Sequence, residues 1–384
     1  MKLLFYIAPS LFNFPKANLI QSLSQFDSLQ NHFNDSYYIN LSFLNKNKTK
    51  ELISSCSPIE SVPKGIFFSF MRLRRLNYLL NFSYQMYIII YLYIKYFILR
   101  FFTKVNYKIY IFSRSIITSF FLSRIKNINH IFEVHGKENN KILQKMQVSI
   151  IKNSNVKIVY ISDALRIIYG NKSDLYAVLH DSSPSYKKRK TDYFSFKNKY
   201  NPRKDKKIKI VYSGSSGKGR GIDLILSIAN LLKECSFIIL TDEFPNELPK
   251  NIYNLGYQSH INVLEILKET DFALMPYQDN LKIGNQNINS LQWMSPLKMF
   301  DYMNTNTAII SSYFPVIEEV IKDLDNGYFV YDYSNPQAWA KLIISELENE
   351  KKRYKDIAKK AKILFDKKFN YSIRSKKIIK LYDS

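Results

Sequence analysis

The chain has 384 residues, of which 46% are hydrophobic and 23% are charged, and its formal net charge is +24. This length suits two domains, and the hydrophobic content excludes an intrinsically disordered chain. The two cysteines, Cys56 and Cys235, lie far apart in the sequence, so neither a disulfide framework nor a zinc site is expected, in agreement with a reducing cytoplasm.

The positive charge is concentrated in the first half of the chain. Residues 1–190 hold 27 Lys and Arg against 9 Asp and Glu, whereas the remainder holds 29 against 23. A strongly basic half indicates an anionic partner surface. The sequence has no zinc-finger spacing, aromatic RNA-binding pattern or basic recognition helix, so nucleic acid is not expected as a partner. An anionic membrane face or a phosphorylated lipid is the preferred partner.

The N-terminal half alternates strand-like and helix-like segments. Residues 2–8 are predicted to form a strand, and a helix follows from about 16 to 26. A short signal peptide is the alternative for the N-terminus, but Pro9 and Pro15 interrupt it and no cleavage site follows. Further β-rich runs recur along the chain, at 107–113, 130–135 and 156–161. This alternation predicts a parallel sheet covered by helices.

Residues 76–94 form a run of nineteen residues without charge. The run is long enough to span a bilayer, but Asn77, Asn81, Gln85 and several tyrosines dilute its apolar character. A buried helix or one that lies at an interface is therefore preferred to a transmembrane helix.

A polar and basic segment, 183–207, reads as a linker or surface loop. A second alternating series runs from 207 to about 333, and helices are predicted from 336 to 382. The predicted organisation has four parts, which are a first domain at 1–190, a linker at 191–206, a second domain at 207–368 and a C-terminal helix at 369–384 that returns to the first domain.

The second series opens with a glycine-rich turn. A strand ends at Gly214, the loop Ser215–Gly221 follows, and an amphipathic helix begins at Ile222. This arrangement lets backbone amides approach a phosphate, and Lys218 and Arg220 supply cationic side chains. The spacing matches neither a Walker loop nor a dinucleotide fingerprint, so an ordinary βα turn is the alternative.

Residues 295–303, Ser-Pro-Leu-Lys-Met-Phe-Asp-Tyr-Met, read as a helix start that suits an anion. Ser295 is predicted as the N-cap and Pro296 as the first helical residue. The backbone amides behind them carry the positive end of the helix dipole, and Lys298 adds a full charge. Asp301 places a carboxylate within reach of a sugar hydroxyl. The alternative is an ordinary capped helix with a solvated Lys298.

Together, and in this order, these segments resemble retaining glycosyltransferases of group 1 (family 4). Ser295–Met303 is similar to the family's Ser-Pro-Leu-Lys-x-Phe-Glu-Tyr-Met element, and Gly214–Gly221 to its Gly-x5-Lys-Gly loop, with Arg220 at the lysine position. In the first half, Ile131–Gly136 resembles the strand that ends in the family's active-site His. The resemblance implies an α/β GT-B fold, with two facing doubly wound Rossmann-like domains and an interdomain cleft.

The resemblance also implies roles for individual residues. His135 would contact the donor sugar and Asp301 would hold the ribose, and these two are the expected catalytic residues. The expected donor-binding residues are Gly214, Ser215, Ser216, Lys218, Arg220, Ser295, Pro296, Leu297, Lys298 and Glu319. Weaker candidates on the acceptor side are Lys16, Asn18 and Arg114. The first acid of the family's Glu-x7-Glu pair falls at Trp293, which either stacks on a sugar or packs in the core.

No metal or cofactor is expected. The chain contains one Asp-x-Asp, Asp323-Leu-Asp325, but it precedes Asn326-Gly327, so a turn is preferred to a metal site. Cationic side chains and helix N-termini would instead stabilise the leaving diphosphate.

The resemblance implies a retaining glycosyltransferase that uses a nucleotide sugar, with a UDP- or GDP-sugar preferred. The expected acceptor is a lipid-linked saccharide or a surface polysaccharide of the capsule, O-antigen or lipopolysaccharide kind. The expected location is cytoplasmic, peripherally on the inner face of the cell membrane. A nucleotide-sugar epimerase, an inverting transferase and a non-catalytic binding protein are the alternatives.

Overall fold

The structure is a computed structural model. It describes residues 1–8, 17–42, 65–69, 77–103, 105–170, 175–184, 200–245, 247–279, 281 and 289–384. The chain divides into two units, Met1–His180 with Tyr371–Ser384, and Asp181–Asn370. The first unit therefore ends at His180, before the predicted boundary at 190, and the second already begins at Asp181. Residues 191–199 of the predicted linker lie outside the described residues.

The strands of the described residues are β1 Lys2–Ile7, β2 Asp35–Ser42, β3 Gly65–Ser69, β4 Lys108–Ser113, β5 Asn129–Val134, β6 Val156–Tyr160, β7 Tyr176–Val178, β8 Lys209–Ser213, β9 Ser236–Leu240, β10 Ile252–Asn254, β11 Phe272–Met275, β12 Ala308–Ser312 and β13 Tyr328–Val330. The helices are α1 Ala17–Gln30, α2 Asn77–Phe101, α3 Ile116–Leu122, α4 Lys141–Ile151, α5 Asp163–Tyr169, α6 Ile222–Leu231, α7 His260–Leu267, α8 Leu297–Asn304, α9 Pro315–Glu318, α10 Pro336–Glu348, α11 Arg353–Lys368 and α12 Tyr371–Asp383.

Each unit is built on one parallel sheet. The strand order is β3-β2-β1-β4-β5-β6-β7 in the first unit and β10-β9-β8-β11-β12-β13 in the second, and every pairing within both sheets is parallel. Helices alternate with the strands along the chain, as the sequence pattern predicts. In both sheets the order reverses beside the first strand of the unit, which is where ligands bind in open parallel sheets.

The first strand shows how the first unit buries both faces of its sheet. Leu4 and Tyr6 point to the face covered by α1 and α12, where Phe26 packs with them. Leu3 and Phe5 point to the opposite face, which α2 covers. This alternation follows from the two-residue period of a strand, and it explains why β1 is apolar at nearly every position.

Residues 77–94 of the uncharged run lie within α2. The segment Phe82–Phe101 is long and apolar enough to cross a membrane by length and composition, and a third of it is buried inside the protein. Tyr84, Ile88 and Leu92 belong to the core beside β1 and β4. One side of α2 is therefore part of the first unit's core.

A buried ion pair fixes α12 to the first unit. The Arg374 guanidinium lies 2.6 Å from a carboxylate oxygen of Glu133, and both side chains are buried. Arg374 also donates hydrogen bonds to the carbonyl oxygens of Leu179 and His180. Burial alone would raise the pKa of Glu133, but Arg374, His135 and Arg114 hold that pKa well below its usual value.

Removing the Glu133 charge should loosen α12. Glu133→Gln leaves two buried guanidinium groups without their counter-ion, so we expect a loss of about 3–5 kcal/mol in stability. Because the folded-state pKa of Glu133 is depressed, this stabilisation is complete above the ordinary carboxyl pKa and is lost as the pH falls below it. Urea denaturation, with hydrogen exchange to follow the α12 amides, measures both effects.

Asp163→Asn is the matched control for this prediction. It breaks the surface pair between Asp163 and Arg166, whose side chains are partly exposed, and should cost less than about 1 kcal/mol. Equal losses in the two variants would show that Glu133 does not anchor α12.

Candidate functional site

The glycine-rich segment of the second unit is a strand–loop–helix turn, as predicted. Gly214, Gly219 and Gly221 have φ angles of 144°, 81° and 75°. A Cβ on Gly221 would lie 2.0 Å from the carbonyl oxygen of Pro276, so the loop passes against its neighbour without room for a side chain. Gly221 is also the N-cap of α6, and no side chain caps this helix. The first amides of α6 thus face the loop without a side-chain acceptor.

The second predicted element, α8, also begins without a side-chain cap. Its N-cap is Pro296 and its first residue is Leu297, so the prediction of Ser295 as N-cap and Pro296 as first helical residue was wrong by one position. The Ser295 hydroxyl instead accepts a hydrogen bond from the backbone N–H of Asp181 at 2.9 Å. Like α6, α8 therefore presents the positive end of its dipole without a capping oxygen.

Lys298 carries the most unusual charge of this unit. Its Nζ is buried and has no hydrogen-bond partner among the described residues. The ammonium lies 4.1 Å from the ring centroid of Tyr212 and 5.5 Å from that of Tyr277. Burial, together with the charge of Arg220, holds the pKa of Lys298 well below its usual value. The alternative of a solvated Lys298 is therefore wrong, because its Nζ is buried.

Gly214 and Arg220 converge on the same place. A Cβ on Gly214 would lie 2.6 Å from the Lys298 Nζ, so a side chain at this position would displace the end of the Lys298 side chain. The Arg220 guanidinium lies 5.8 Å from the ring centroid of Tyr277, on which both cations therefore converge. The backbone N–H of Gln278 donates a hydrogen bond to the carbonyl oxygen of Gly219 at 2.9 Å and links the segment after β11 to the glycine-rich loop.

The remaining loop residues line an open cavity of about 730 Å³. Ser216, Lys218, Arg220 and Gln278 contribute to its wall. Lys218 is exposed, and the Ser215 carbonyl accepts a hydrogen bond from the Tyr212 hydroxyl at 2.6 Å. The volume is in the range of small-molecule sites.

Asp301 lies on α8 with its carboxylate largely buried. Its Oδ1 accepts hydrogen bonds from the Ser183 hydroxyl at 2.6 Å and from His260 Nε2 at 3.0 Å. Both bonds use one oxygen, and the role of Asp301 toward a ribose stays a prediction. The sequence analysis did not identify Ser183 or His260, because neither belongs to a motif and both are distant from Asp301 in the chain.

Two further donor-side predictions have clear positions. Trp293 is 5% exposed, just before α8, so its indole packs in the core of the unit. Glu319 follows α9 as its C-cap and is partly exposed.

The Asp-x-Asp segment is a turn, as preferred. Asp323 Oδ1 accepts from the backbone N–H of Phe329 at 2.9 Å, and Asp325 pairs with Lys360 at 3.0 Å. Within the described ranges, no three His, Cys, Asp or Glu side chains are arranged to hold a metal ion.

In the first unit, His135 directly follows β5 and both of its ring nitrogens have partners. Nδ1 lies 3.0 Å from Arg114, which can only donate, so Nε2 carries the proton and donates it to Glu133. Burial and Arg114 lower the pKa of His135 to about 4, so the ring is neutral at pH 7. The predicted contact of His135 with a donor sugar stays a prediction.

The acceptor-side candidates lie in different surroundings. The guanidinium of Arg114 is buried and also donates to Gln21 at 3.1 Å, so it belongs to the Glu133 network. Asn18 lies on α1 and is exposed, whereas Lys16 lies outside the described residues.

Comparison with known proteins identifies the second unit. Residues 194–363 match the family model described as "Glycosyl transferases group 1". They form a group 1 glycosyltransferase domain. Spore coat protein SA of Bacillus subtilis (strain 168) is 25% identical to this chain over 161 residues, which are 38% of this chain and 41% of that protein. The match therefore spans less than half of that relative's length.

Solved structures show the fold of the whole chain. Anabaena Alr3699/HepE, in complex with UDP and glucose, matches with a TM-score of 0.68 and 12% identity over 100% of both chains. Sucrose-phosphate synthase from Thermosynechococcus elongatus matches with a TM-score of 0.70 and 11% identity, over 100% of this chain and 98% of that chain. These likenesses, together with the two parallel sheets, confirm the predicted GT-B fold.

Within the glycosyltransferase domain, the structure brings Gly214, Arg220 and Lys298 to the start of two uncapped helices. Arg220 lines the cavity together with the first residues of α6, whereas the Nζ of Lys298 is buried against Tyr212 and Tyr277. Tyr212 and Tyr277 complete this arrangement, and the sequence analysis missed their contribution because both read as strand residues of the core. An aromatic residue just after a strand of such a domain was the available signal.

The buried amine of Lys298, whose charged form has no counter-ion among the described residues, should weaken the free glycosyltransferase domain. Lys298→Met replaces the buried amine with an unbranched apolar side chain that is one atom shorter, so we expect the anion-free domain to gain about 1–2 kcal/mol. Added pyrophosphate should stabilise the wild type far more than the variant. Thermal melting with and without pyrophosphate measures both effects.

Lys233→Met, at an exposed position just after α6, is the control. It should change neither the stability of the domain nor its response to pyrophosphate. A Lys298→Met variant that is destabilised, yet still responds fully to pyrophosphate, would contradict this account of Lys298.

Proposed function

We propose that the protein is a retaining glycosyltransferase. It would move a sugar from a nucleoside-diphosphate sugar to a lipid-linked saccharide or to a surface polysaccharide such as capsule, O-antigen or lipopolysaccharide. The carrying observation is the buried ammonium of Lys298, which lies against Gly214 and lacks a hydrogen-bond partner among the described residues. A diphosphate supplies the charge and the acceptor oxygens that this site needs. The UDP and glucose bound by Alr3699/HepE support a UDP-sugar as the first donor to test.

The chemistry of this transfer needs positive charge at the leaving group. The bond between the anomeric carbon and the diphosphate oxygen breaks, and its electron pair stays on the diphosphate. The acceptor oxygen bonds to the anomeric carbon on the same face, and its proton passes to the departing phosphate oxygen. Lys298, Arg220 and the N-termini of α6 and α8 would stabilise the developing charge. This role asks for no strong base from the protein.

Two other residues have proposed roles around the donor. Asp301 would accept a hydrogen bond from a ribose hydroxyl, with Ser183 and His260 holding the carboxylate in place through Oδ1. His135, kept neutral by burial and by Arg114, would border the sugar without adding charge. No metal is part of this proposal.

The acceptor and the location are proposed from charge. Residues 1–190 carry 27 Lys and Arg against 9 Asp and Glu, and a basic surface favours anionic lipids and lipid diphosphates. We therefore propose that the enzyme works peripherally at the inner face of the cell membrane.

Calorimetric titration tests the donor site. With a chelator present, we titrate UDP, GDP, ADP and CMP and their common sugars into the wild type. One diphosphate should bind, and Arg220→Ala should weaken it about 10- to 100-fold because a charge-assisted hydrogen bond is lost. Lys233→Ala is the control that should not change the affinity. Failure of every nucleotide to bind would refute the transferase proposal.

Turnover separates the remaining alternatives. Product analysis by NMR should show the anomeric configuration of the donor retained. Inversion would refute the retaining mechanism, and tight binding without turnover of any acceptor would favour a non-catalytic binding protein.

The depressed pKa of Lys298 predicts proton uptake on donor binding. The free site disfavours the ammonium, whereas a bound diphosphate favours it, so a diphosphate should raise the pKa of Lys298 and draw in a proton. Binding should accordingly weaken as the pH rises. Titrations at about pH 8, where the phosphates are fully ionised, in buffers of different ionisation enthalpy measure the uptake. It should vanish in Lys298→Met, and uptake that persists there would place the proton elsewhere.

A further inference from the structure

Helix α2 presents an apolar stripe to solvent. Tyr87, Ile90, Ile94, Phe97 and Phe101 recur at alternating intervals of three and four residues, so they share one face of the helix. Each of these side chains is half exposed or more. The face is distinct from the one that packs on the sheet through Ile88 and Leu92. We call these five residues the α2 stripe.

The stripe widens at the C-terminal end of the helix. The ring centroid of Phe97 lies 4.8 Å from that of Phe101 and 5.9 Å from that of Phe102. Phe102 is 74% exposed, and Val105 beyond it is also exposed. Contiguous apolar surface of this kind marks an interaction site, because a folded protein keeps such area from water unless a partner covers it.

The segment of sequence that contains the stripe carries charge of one sign. Residues 61–132 contain 11 Lys and Arg and no Asp or Glu. Arg100 lies in the last turn of α2 and is exposed. Arg124 and Lys126 are also exposed, and they lie beside α2 because the Tyr93 and Tyr96 hydroxyls donate to the carbonyls of Phe121 and Lys126. Arg124 itself stacks on the Phe120 ring at 3.8 Å.

We propose that the α2 stripe is the surface by which this protein docks on an anionic bilayer. The apolar side chains would enter the headgroup region while Arg100, Arg124 and Lys126 contact lipid phosphates. The tyrosines suit this depth because their rings are apolar and their hydroxyls are polar. This inference rests on the membrane association proposed above and assigns it to named residues.

Two other occupants fit the observations less well. A second copy of the chain, stripe against stripe, would bring Arg100 and its neighbouring cations together, and residues 61–132 hold no acid to offset the repulsion. A transmembrane position would pull Tyr84, Ile88 and Leu92 out of the core of the first unit. A helix that lies in the plane of the membrane surface keeps that packing and uses only the exposed face.

Vesicle co-sedimentation of the full chain tests the proposal. Phosphatidylcholine vesicles are compared with vesicles that also contain phosphatidylglycerol, at low salt. The wild type should bind the anionic vesicles. Ile94→Gln with Phe97→Gln should weaken binding roughly tenfold or more, since two apolar side chains no longer leave water. Arg124→Gln with Lys126→Gln should lower the affinity for anionic vesicles about fivefold per cation removed, and should not change binding to phosphatidylcholine vesicles.

The matched control replaces two apolar residues of the same unit that are even more exposed than Ile94 and Phe97. Ile142→Gln with Ile167→Gln, on α4 and α5, should bind vesicles like the wild type. Equal losses in the control and stripe variants, or no binding of the wild type, would overturn the proposal. So would a dimer, seen by sedimentation velocity, that only the stripe variant dissociates.

UDP titration of the same proteins keeps this inference separate from the donor proposal. Lost vesicle binding with intact nucleotide affinity in the stripe variant supports the stripe. A wild type that binds nucleotide but not vesicles would refute the membrane role of the α2 stripe and would leave the proposed donor site unaffected. Vesicle binding without nucleotide binding overturns the donor proposal alone.

Discussion

The buried ammonium of Lys298 is the constraint on which the glycosyltransferase domain depends. A cation out of water costs free energy unless opposite charge or polar groups surround it, and the described residues offer its Nζ no hydrogen bond. Cation–π contacts with the rings of Tyr212 and Tyr277 offset part of that cost. Gly214 favours the absence of a side chain because its φ is 144°, and a Cβ there would also lie 2.6 Å from the Nζ and push the flexible Lys298 side chain aside. The free domain is therefore less stable than it would be without Lys298, and a bound diphosphate would remove this destabilisation. The site thus gives up stability of the free domain for affinity toward an anion.

Local sequence was enough to predict the parallel sheets and the elements on either side of the candidate site. It failed where a contact spans the chain. Ser295 has the composition of an N-cap, yet its hydroxyl binds Asp181, a residue 114 positions away. His260 meets Asp301 across 41 positions and belongs to no motif. Propensity describes what a residue does for its own helix, whereas these two side chains serve a neighbouring segment.

The same limit applies to His135. The position of His135 at the end of a buried strand was predictable, but the protonation state of its ring was not. Glu133 lies two residues before His135 and so points to the same face of the strand. A carboxylate within an apolar strand was the local signal that a buried network of charged side chains was present. The cation that pairs with it, Arg374, lies 241 residues away on α12. Because Arg114 occupies Nδ1 and Glu133 occupies Nε2, the imidazole is fixed in one neutral tautomer. Any contact that it makes with a sugar therefore follows from its position and not from proton transfer.

The two kinds of positive charge in this chain differ in how they respond to salt. The Lys298 charge is desolvated, so its attraction for a diphosphate is screened weakly by added ions. Arg100, Arg124 and Lys126 lie in water, where a Debye length of about 8 Å at physiological ionic strength removes most long-range attraction. The α2 stripe would supply an attachment that resists salt, because the free energy of apolar burial does not weaken as the salt concentration rises. Surface charge would then bring the enzyme to the membrane, and the stripe would keep it there while the buried site works independently of both.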